Sequence, residues 1–133
     1  MLKIQGRYEE VLTAFKDRVV KELGERIKSI VVYGSVARGE VREASDADVL
    51  IVGKDKLVRM KVSEIGYDVD YENDFETFIT LIYFTRDELE HRVRVGSPFI
   101  FEVLRDGVVL YDDETFKRIR EKVLGAYSWF IPF

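Results

Sequence analysis

The stretch that decides how this chain is interpreted, residues 34–48, reads GSVARGEVREASDAD. The β-branched run before it, residues 30–33, stops at Gly34 and predicts a buried strand. Glycine lets the backbone come close to a ligand, and the free N–H groups at a helix start bind phosphate oxygens. Because Ser35 adds a hydroxyl donor at that point, Gly34 and Ser35 are candidate phosphate-binding residues. No Gly-Lys-Ser/Thr follows, so the stretch is not a Walker A loop.

The same stretch ends with two aspartates, Asp46 and Asp48, at the start of a second predicted strand over residues 46–52. Residues i and i+2 of a strand project from the same face, so the two carboxylates point together. Side by side they repel each other and need a compensating cation. The chain has no cysteine and one histidine, so oxygen ligands must hold any such metal, which suits Mg²⁺ or Mn²⁺. The sequence therefore predicts a metal site at Asp46 and Asp48.

Outside this stretch, apolar periodicity and capping signals predict alternating helices and strands. Thr85 and Glu88 form a capping box, and Ser97 before proline is typical of another helix start. Further elements are predicted as helices over residues 8–23, 58–69, 85–94, 97–105 and 112–124, and as strands over residues 77–85 and 108–111, the last at an edge. The order indicates one mixed α/β (α+β) domain over residues 1–133, a short mixed sheet flanked by helices, with a C-terminal helix and an aromatic tail.

Composition limits the classes of protein that fit. No apolar run approaches the roughly 20 residues of a membrane span, and the N-terminus has no long apolar stretch like that of a signal peptide. We therefore expect a cytoplasmic protein without a membrane partner. The net charge of −4 disfavours nucleic acid as a partner.

The combined pattern of Gly-Ser, Ala-Arg-Gly and Ser-Asp-x-Asp resembles the DNA polymerase β-type nucleotidyltransferase superfamily. More narrowly, it resembles the minimal nucleotidyltransferases that pair with a small helical protein of the HEPN type in toxin–antitoxin systems. The resemblance implies that Gly34 and Ser35 bind a nucleoside triphosphate, with ATP expected. It also implies that Asp46 and Asp48 coordinate the metal and act in catalysis.

Two more residues of the stretch are candidates for nucleotide binding. The guanidinium of Arg38 suits phosphate oxygens, although a solvated loop charge explains it equally well. Ser45 either contacts the nucleotide or only shapes the turn before the strand. Both alternatives stay open at this point.

The family pattern has a third carboxylate on the next strand, and residues 77–84 contain no acid. Glu76 is the best substitute, with Asp74 behind it, because both lie just before that strand. The pair Asp68 and Asp70 is set aside, because residues i and i+2 of a helix point about 200° apart.

The resemblance implies metal-dependent transfer of a nucleoside monophosphate, AMP from ATP, to an acceptor hydroxyl with release of pyrophosphate. The acceptor would lie on a partner protein or on a small molecule. The alternative is a catalytically weak or inactive nucleotide-binding module that docks to a helical HEPN-type partner. The missing third acid and the aromatic tail favour this alternative. The tail, residues 127–133, either folds back on the core or binds a partner or a second copy of the chain.

Overall fold

The computed structural model describes residue 4, residues 6–40 and residues 46–127. These residues form a short 3₁₀-helix, Gly24–Arg26, and six α-helices: α1 (Gly6–Leu23), α2 (Gly34–Arg38), α3 (Leu57–Glu72), α4 (Arg86–Arg94), α5 (Pro98–Asp106) and α6 (Thr115–Tyr127). Four strands accompany them: β1 (Ile27–Tyr33), β2 (Ala47–Gly53), β3 (Ile79–Thr85) and β4 (Val108–Asp112). Across the described helices, none is long and apolar enough to cross a lipid bilayer.

The strands form one mixed sheet in the order β3-β2-β1-β4. Strand β1 runs antiparallel to both β2 and β4, whereas β2 and β3 run parallel. The end of β1 therefore meets the beginnings of β2 and β3 at one end of the sheet. The register there places Tyr33 opposite Asp48, and Asp48 beside Thr80. This topology confirms the mixed α/β class and the edge position predicted for β4.

Helices cover both faces of the sheet because successive side chains of each strand alternate between the faces. On β2, Val49 and Ile51 belong to the apolar core that includes α1 and α3. Leu50 and Val52 belong to a second core that includes residues of α4, α5 and α6. Asp48 has the parity of Leu50, so its side chain lies on the second face, at the uncovered end of the strand.

Several predicted element boundaries were wrong by two or three residues, and two of these differences have a clear local cause. The third strand begins at Ile79 rather than at Thr77, because the chain first completes a turn that buries the Thr77 side chain. The final helix begins at Thr115 rather than at Asp112, which belongs to β4. The Asp112 carboxylate accepts hydrogen bonds from backbone N–H groups of the first turn of α6, at 3.1 and 2.9 Å, and so starts the helix from outside.

Other local signals were read correctly. The capping box of α4 is present in full: Glu88 N–H donates to Thr85 Oγ1, and Thr85 N–H donates to the Glu88 carboxylate. The Ser97 hydroxyl oxygen caps α5 by accepting from Ile100 N–H at 3.3 Å. The predicted aromatic tail from Ser128 onward lies outside the described residues, so both of its interpretations stay predictions.

Candidate active site

Gly34 and Asp48 lie in direct contact at the end of the sheet. Gly34 has φ +74°, a left-handed conformation that favours glycine. A Cβ atom added at this position would lie 2.5 Å from Asp48 Oδ2, closer than a Cβ atom approaches an oxygen atom. The carboxylate is thus seated against the backbone that opens α2, and any side chain at residue 34 would displace it.

The two predicted metal ligands influence each other electrostatically. Burial raises the pKa of Asp48 above its usual value, the charge of Asp46 raises it further, and Arg38 lowers it. Asp46 itself is exposed and lies immediately before β2. The structure therefore brings together the carboxylates of Asp46 and Asp48 as a like-charged pair, and a bound cation would relieve their repulsion.

The donor set fits Mg²⁺ or Mn²⁺ bound together with phosphates. Among the described residues, no group of three or more His, Cys, Asp or Glu side chains could hold a metal ion. Mg²⁺ does not need such a cage, because it is usually held by one or two carboxylates with water and substrate phosphates as the remaining ligands. Asp46 and Asp48 could supply the protein's share of that shell.

Helix α2 presents its first turn beside this pair. Tyr33 at its N-cap makes no side-chain capping hydrogen bond, and Ser35 in the first turn is half-buried. The helix has five residues and ends at Gly39, whose φ is +72°. Arg38 is exposed and forms an ion pair with Glu40 at 3.2 Å. The structure thus brings Gly34, Ser35 and Arg38 to the aspartates, whereas Ser45 lies outside the described residues and its role stays a prediction.

A threonine occupies the position on β3 beside the pair of aspartates, Asp46 and Asp48. Thr80 is beside Asp48 in the parallel register, and its hydroxyl donates to Asp46 Oδ2 at 3.4 Å. No signal within the sequence stretch itself identified Thr80, because its place depends on how β2 and β3 pair. Glu76 and Asp74 are exposed in the turn between α3 and β3, and neither lies on the strand. The role of Glu76 as third carboxylate stays a prediction.

The second Asp-x-Asp pair diverges, as expected for a helix. Asp68 is exposed and lies 3.8 Å from the guanidinium of Arg18, whereas Asp70 is 5% exposed. Asp70 Oδ2 accepts a hydrogen bond from Ile79 N–H at 3.1 Å and so joins the end of α3 to the start of β3. Its Oδ1 is buried without a hydrogen-bond partner in the described part of the chain. Burial raises the pKa of Asp70, the Ile79 N–H lowers it, and the charge of Asp46 raises it.

Tyr33 forms the wall of the site on the β1 side. Burial raises the pKa of its phenol, and the charge of Asp48 raises it further. The ring meets Phe99 of α5 edge-on, with centroids 5.2 Å apart. Sequence reasoning missed Tyr33, although its position directly before Gly34 was the signal that could have found it.

Comparison with known proteins places this geometry in a family. Residues 12–124 match the nucleotidyltransferase domain family. A Methanocaldococcus jannaschii protein named "Putative protein adenylyltransferase MJ0604" is 31% identical over 109 residues, which cover 77% of this chain and 97% of that protein.

Solved structures share the fold. A toxin–antitoxin structure with AMP-PNP has a TM-score of 0.55 at 16% identity and covers 88% of this chain and 87% of its own. A structure of the toxin–antitoxin MntA-HepT has a TM-score of 0.50 at 16% identity, with 89% and 86% covered. At such identities the likeness shows the fold alone. The family match over most of the chain, together with the 31% identical relative, establishes that this chain belongs to the nucleotidyltransferase family, as its Gly-Ser and Asp-x-Asp motifs predicted.

Proposed function

We propose that this chain transfers AMP from ATP to an acceptor hydroxyl in a reaction that depends on Mg²⁺ or Mn²⁺. The single observation that carries the proposal is the contact between Gly34 and the Asp48 carboxylate. That contact joins the start of α2, which is suited to phosphate, to the paired carboxylates of Asp46 and Asp48, which are suited to a cation. A metal-bound triphosphate needs both kinds of group in one place.

Each residue has a distinct part in this proposal. The N–H groups of the first turn of α2 and the Ser35 hydroxyl donate to phosphate oxygens, and Arg38 neutralises phosphate charge. Asp46 and Asp48 hold the metal, and Thr80 keeps the Asp46 carboxylate in place through its hydrogen bond. When bound, the metal supplies orientation of the α-phosphate and stabilisation of charge on the leaving group.

The reaction forms a bond between the acceptor oxygen and the α-phosphorus and breaks the bond from that phosphorus to the bridging oxygen. Pyrophosphate leaves with the electron pair, and the proton of the acceptor hydroxyl passes to a base. Glu76 is the proposed base, since it lies in the turn that leads into β3 at the same end of the sheet. Its exposure leaves it free to turn toward an incoming acceptor.

The acceptor is proposed to be a side chain of a partner protein of the small helical HEPN type. The name of the M. jannaschii relative, which describes protein adenylyl transfer, supports a protein acceptor. The fold is shared with a chain of the toxin–antitoxin MntA-HepT structure, which is compatible with a protein partner for this chain. A second copy of the chain, bound through residues 127–133, is the alternative partner.

A second function is favoured by one observation, the threonine at residue 80. Because β3 carries no carboxylate beside Asp48, the site is built for binding at least as well as for turnover. In this alternative the chain is a nucleotide-binding module that acts by docking to its helical partner.

The identity of the products separates the two functions. The protein is incubated with MgATP in water and in glycerol, which offers a surrogate hydroxyl, and phosphorus NMR follows the products. The transferase predicts pyrophosphate with AMP or a glycerol adduct of AMP, and Asp46→Asn/Asp48→Asn should abolish both. ADP and phosphate would contradict attack at the α-phosphorus. Binding of MgATP without any product would favour the docking module.

A further inference from the structure

Helix α3 and the turn after it expose a cluster of four aromatic rings. Phe75 lies at its centre, with ring centroids 5.6 Å from Tyr67, 6.1 Å from Tyr71 and 5.8 Å from Phe78, the last pair stacked. Tyr67 is 62% exposed, Tyr71 65% and Phe78 53%. Contiguous exposed apolar surface of this kind is typical of an interaction site. We refer to these four residues as the aromatic cluster.

The backbone is strained at the turn that places Phe75 at the centre of the cluster. Asp74 and Phe75 have φ of +54° and +53°, a left-handed conformation that is rare for a bulky residue such as Phe75. The N–H of Phe75 donates to the Asp70 carbonyl at 2.8 Å and fixes the turn. The ring is thus held among exposed rings and does not join either apolar core.

The cluster borders the candidate active site. The carbonyl of Phe78 accepts a hydrogen bond from Ala47 N–H at 2.8 Å, and Ala47 separates the two metal-site aspartates. Two residues beyond Phe78, the Thr80 hydroxyl donates to Asp46. Phe78 is thus the member of the cluster nearest to the carboxylates, and a polypeptide that lay across the cluster toward Phe78 would approach them.

Acidic residues flank the rings in the chain. Asp68 follows Tyr67, Glu72 follows Tyr71, and Asp74 and Glu76 stand on either side of Phe75. Arg18 forms ion pairs with the first two acids, at 3.8 Å to Asp68 and 3.0 Å to Glu72. No ion pair within the described residues involves the other two acids. We refer to these four acids as the acidic rim. The acidic rim repels the phosphate backbone of a nucleic acid and attracts Lys and Arg side chains.

We propose that the aromatic cluster is the docking surface for the acceptor-bearing segment of a partner protein, and that this segment carries Lys or Arg next to its acceptor residue. The rings provide apolar contact area, and the acidic rim selects a basic segment over an acidic one or a nucleic acid. The term acceptor rests on the proposed function, whereas docking of a basic segment does not.

Binding is tested on the isotope-labelled full chain by amide NMR, without nucleotide. The probes are a nine-residue peptide with a central tyrosine flanked by lysines, the same peptide with glutamates, and an oligothymidine of similar length. The lysine peptide should shift amides of residues 67–78 and bind at least about tenfold more tightly than the glutamate peptide. Equal binding of either other probe at the cluster, or no shifts there, would overturn the proposal.

Variants separate the cluster from general apolar stickiness. The double variant Tyr67→Ala/Tyr71→Ala should weaken binding of the lysine peptide about tenfold. The matched control Leu57→Ala removes a side chain that is 84% exposed on the same helix, about 15 Å along its axis from Tyr67, and should leave the affinity unchanged. Asp74→Asn, which tolerates the left-handed backbone, should reduce the preference for lysine over glutamate. Equal weakening by Leu57→Ala, or none in the tyrosine variant, would refute the assignment.

A parallel titration with MgATP keeps this inference distinct from the proposed function. MgATP should shift amides of residues 34–36 and 46–48 whether or not the tyrosines are present. If wild type binds the lysine peptide but not MgATP, the proposed function is wrong and the docking surface is still supported. If wild type binds MgATP but not the lysine peptide, the docking surface is wrong and the nucleotide site is still supported.

Discussion

Replacing Gly34 by alanine should damage the metal site more than it damages the fold. Alanine at φ +74° costs about 1–2 kcal/mol of folding free energy, because a left-handed backbone crowds its Cβ. The new Cβ would also lie 2.5 Å from Asp48 Oδ2. A carboxylate at the end of a rotatable side chain can turn away at little cost to stability. Asp48 would then leave the position in which it faces the metal.

We therefore expect Gly34→Ala to lower the free energy of unfolding by about 1–2 kcal/mol and to weaken MgATP binding at least about tenfold. Gly96→Ala is the matched control, since Gly96 has φ +73° and a Cβ there would meet nothing within 4 Å. The control should lose similar stability and keep its affinity. Denaturant unfolding measures the first quantity and titration calorimetry the second.

The comparison of the two variants decides whether the reasoning holds. If Gly34→Ala and Gly96→Ala both bind MgATP as tightly as wild type, then contact between residue 34 and Asp48 does not shape the site. If both lose affinity to the same extent, then backbone strain alone explains the effect. Either result would refute a site built on the seating of Asp48 against Gly34.

Three further predictions concern the residues around the aspartates. Thr80→Val should weaken Mg²⁺-dependent nucleotide binding a few-fold, because Asp46 loses its hydrogen-bond donor, and Thr80→Ser should restore it; calorimetry measures both. Asp70 has a raised pKa in the folded state, so its contribution to stability is full below the unfolded pKa and is lost as pH rises through the folded pKa. Metal-free wild type should therefore lose stability relative to Asp70→Asn between low and neutral pH, and a pH-independent difference in denaturant unfolding would contradict this. Glu76→Gln should abolish pyrophosphate release while MgATP still binds, and Asp74→Asn should not; undiminished release in both variants would remove both as bases.

The features that could be predicted from the sequence are those encoded locally. Asp46 and Asp48 point together because a strand alternates its side chains, and Gly34 stops the preceding strand within the same short stretch. The Thr85 and Ser97 caps depend on neighbours only three residues away. Such features can be predicted without knowledge of the tertiary structure.

Features that depend on pairing between distant residues could not be predicted. Thr80 reaches the aspartates only through the parallel register of β2 and β3, which the sequence does not reveal. Asp112 was assigned to a helix because its role in β4 depends on pairing with Ser29 of β1. The aromatic cluster escaped notice because Phe75 adopts a conformation that its residue type does not favour.

The most direct test is calorimetric titration of ATP and a non-hydrolysable analogue, with and without Mg²⁺, into wild type and Asp46→Asn/Asp48→Asn. Removing a like-charged pair should leave the variant at least as stable as wild type, so that lost binding cannot be attributed to unfolding. We predict binding that requires Mg²⁺ and disappears in the double variant. A folded wild type that binds no nucleoside triphosphate, or a double variant that binds MgATP as tightly as wild type, would contradict the assignment of the site.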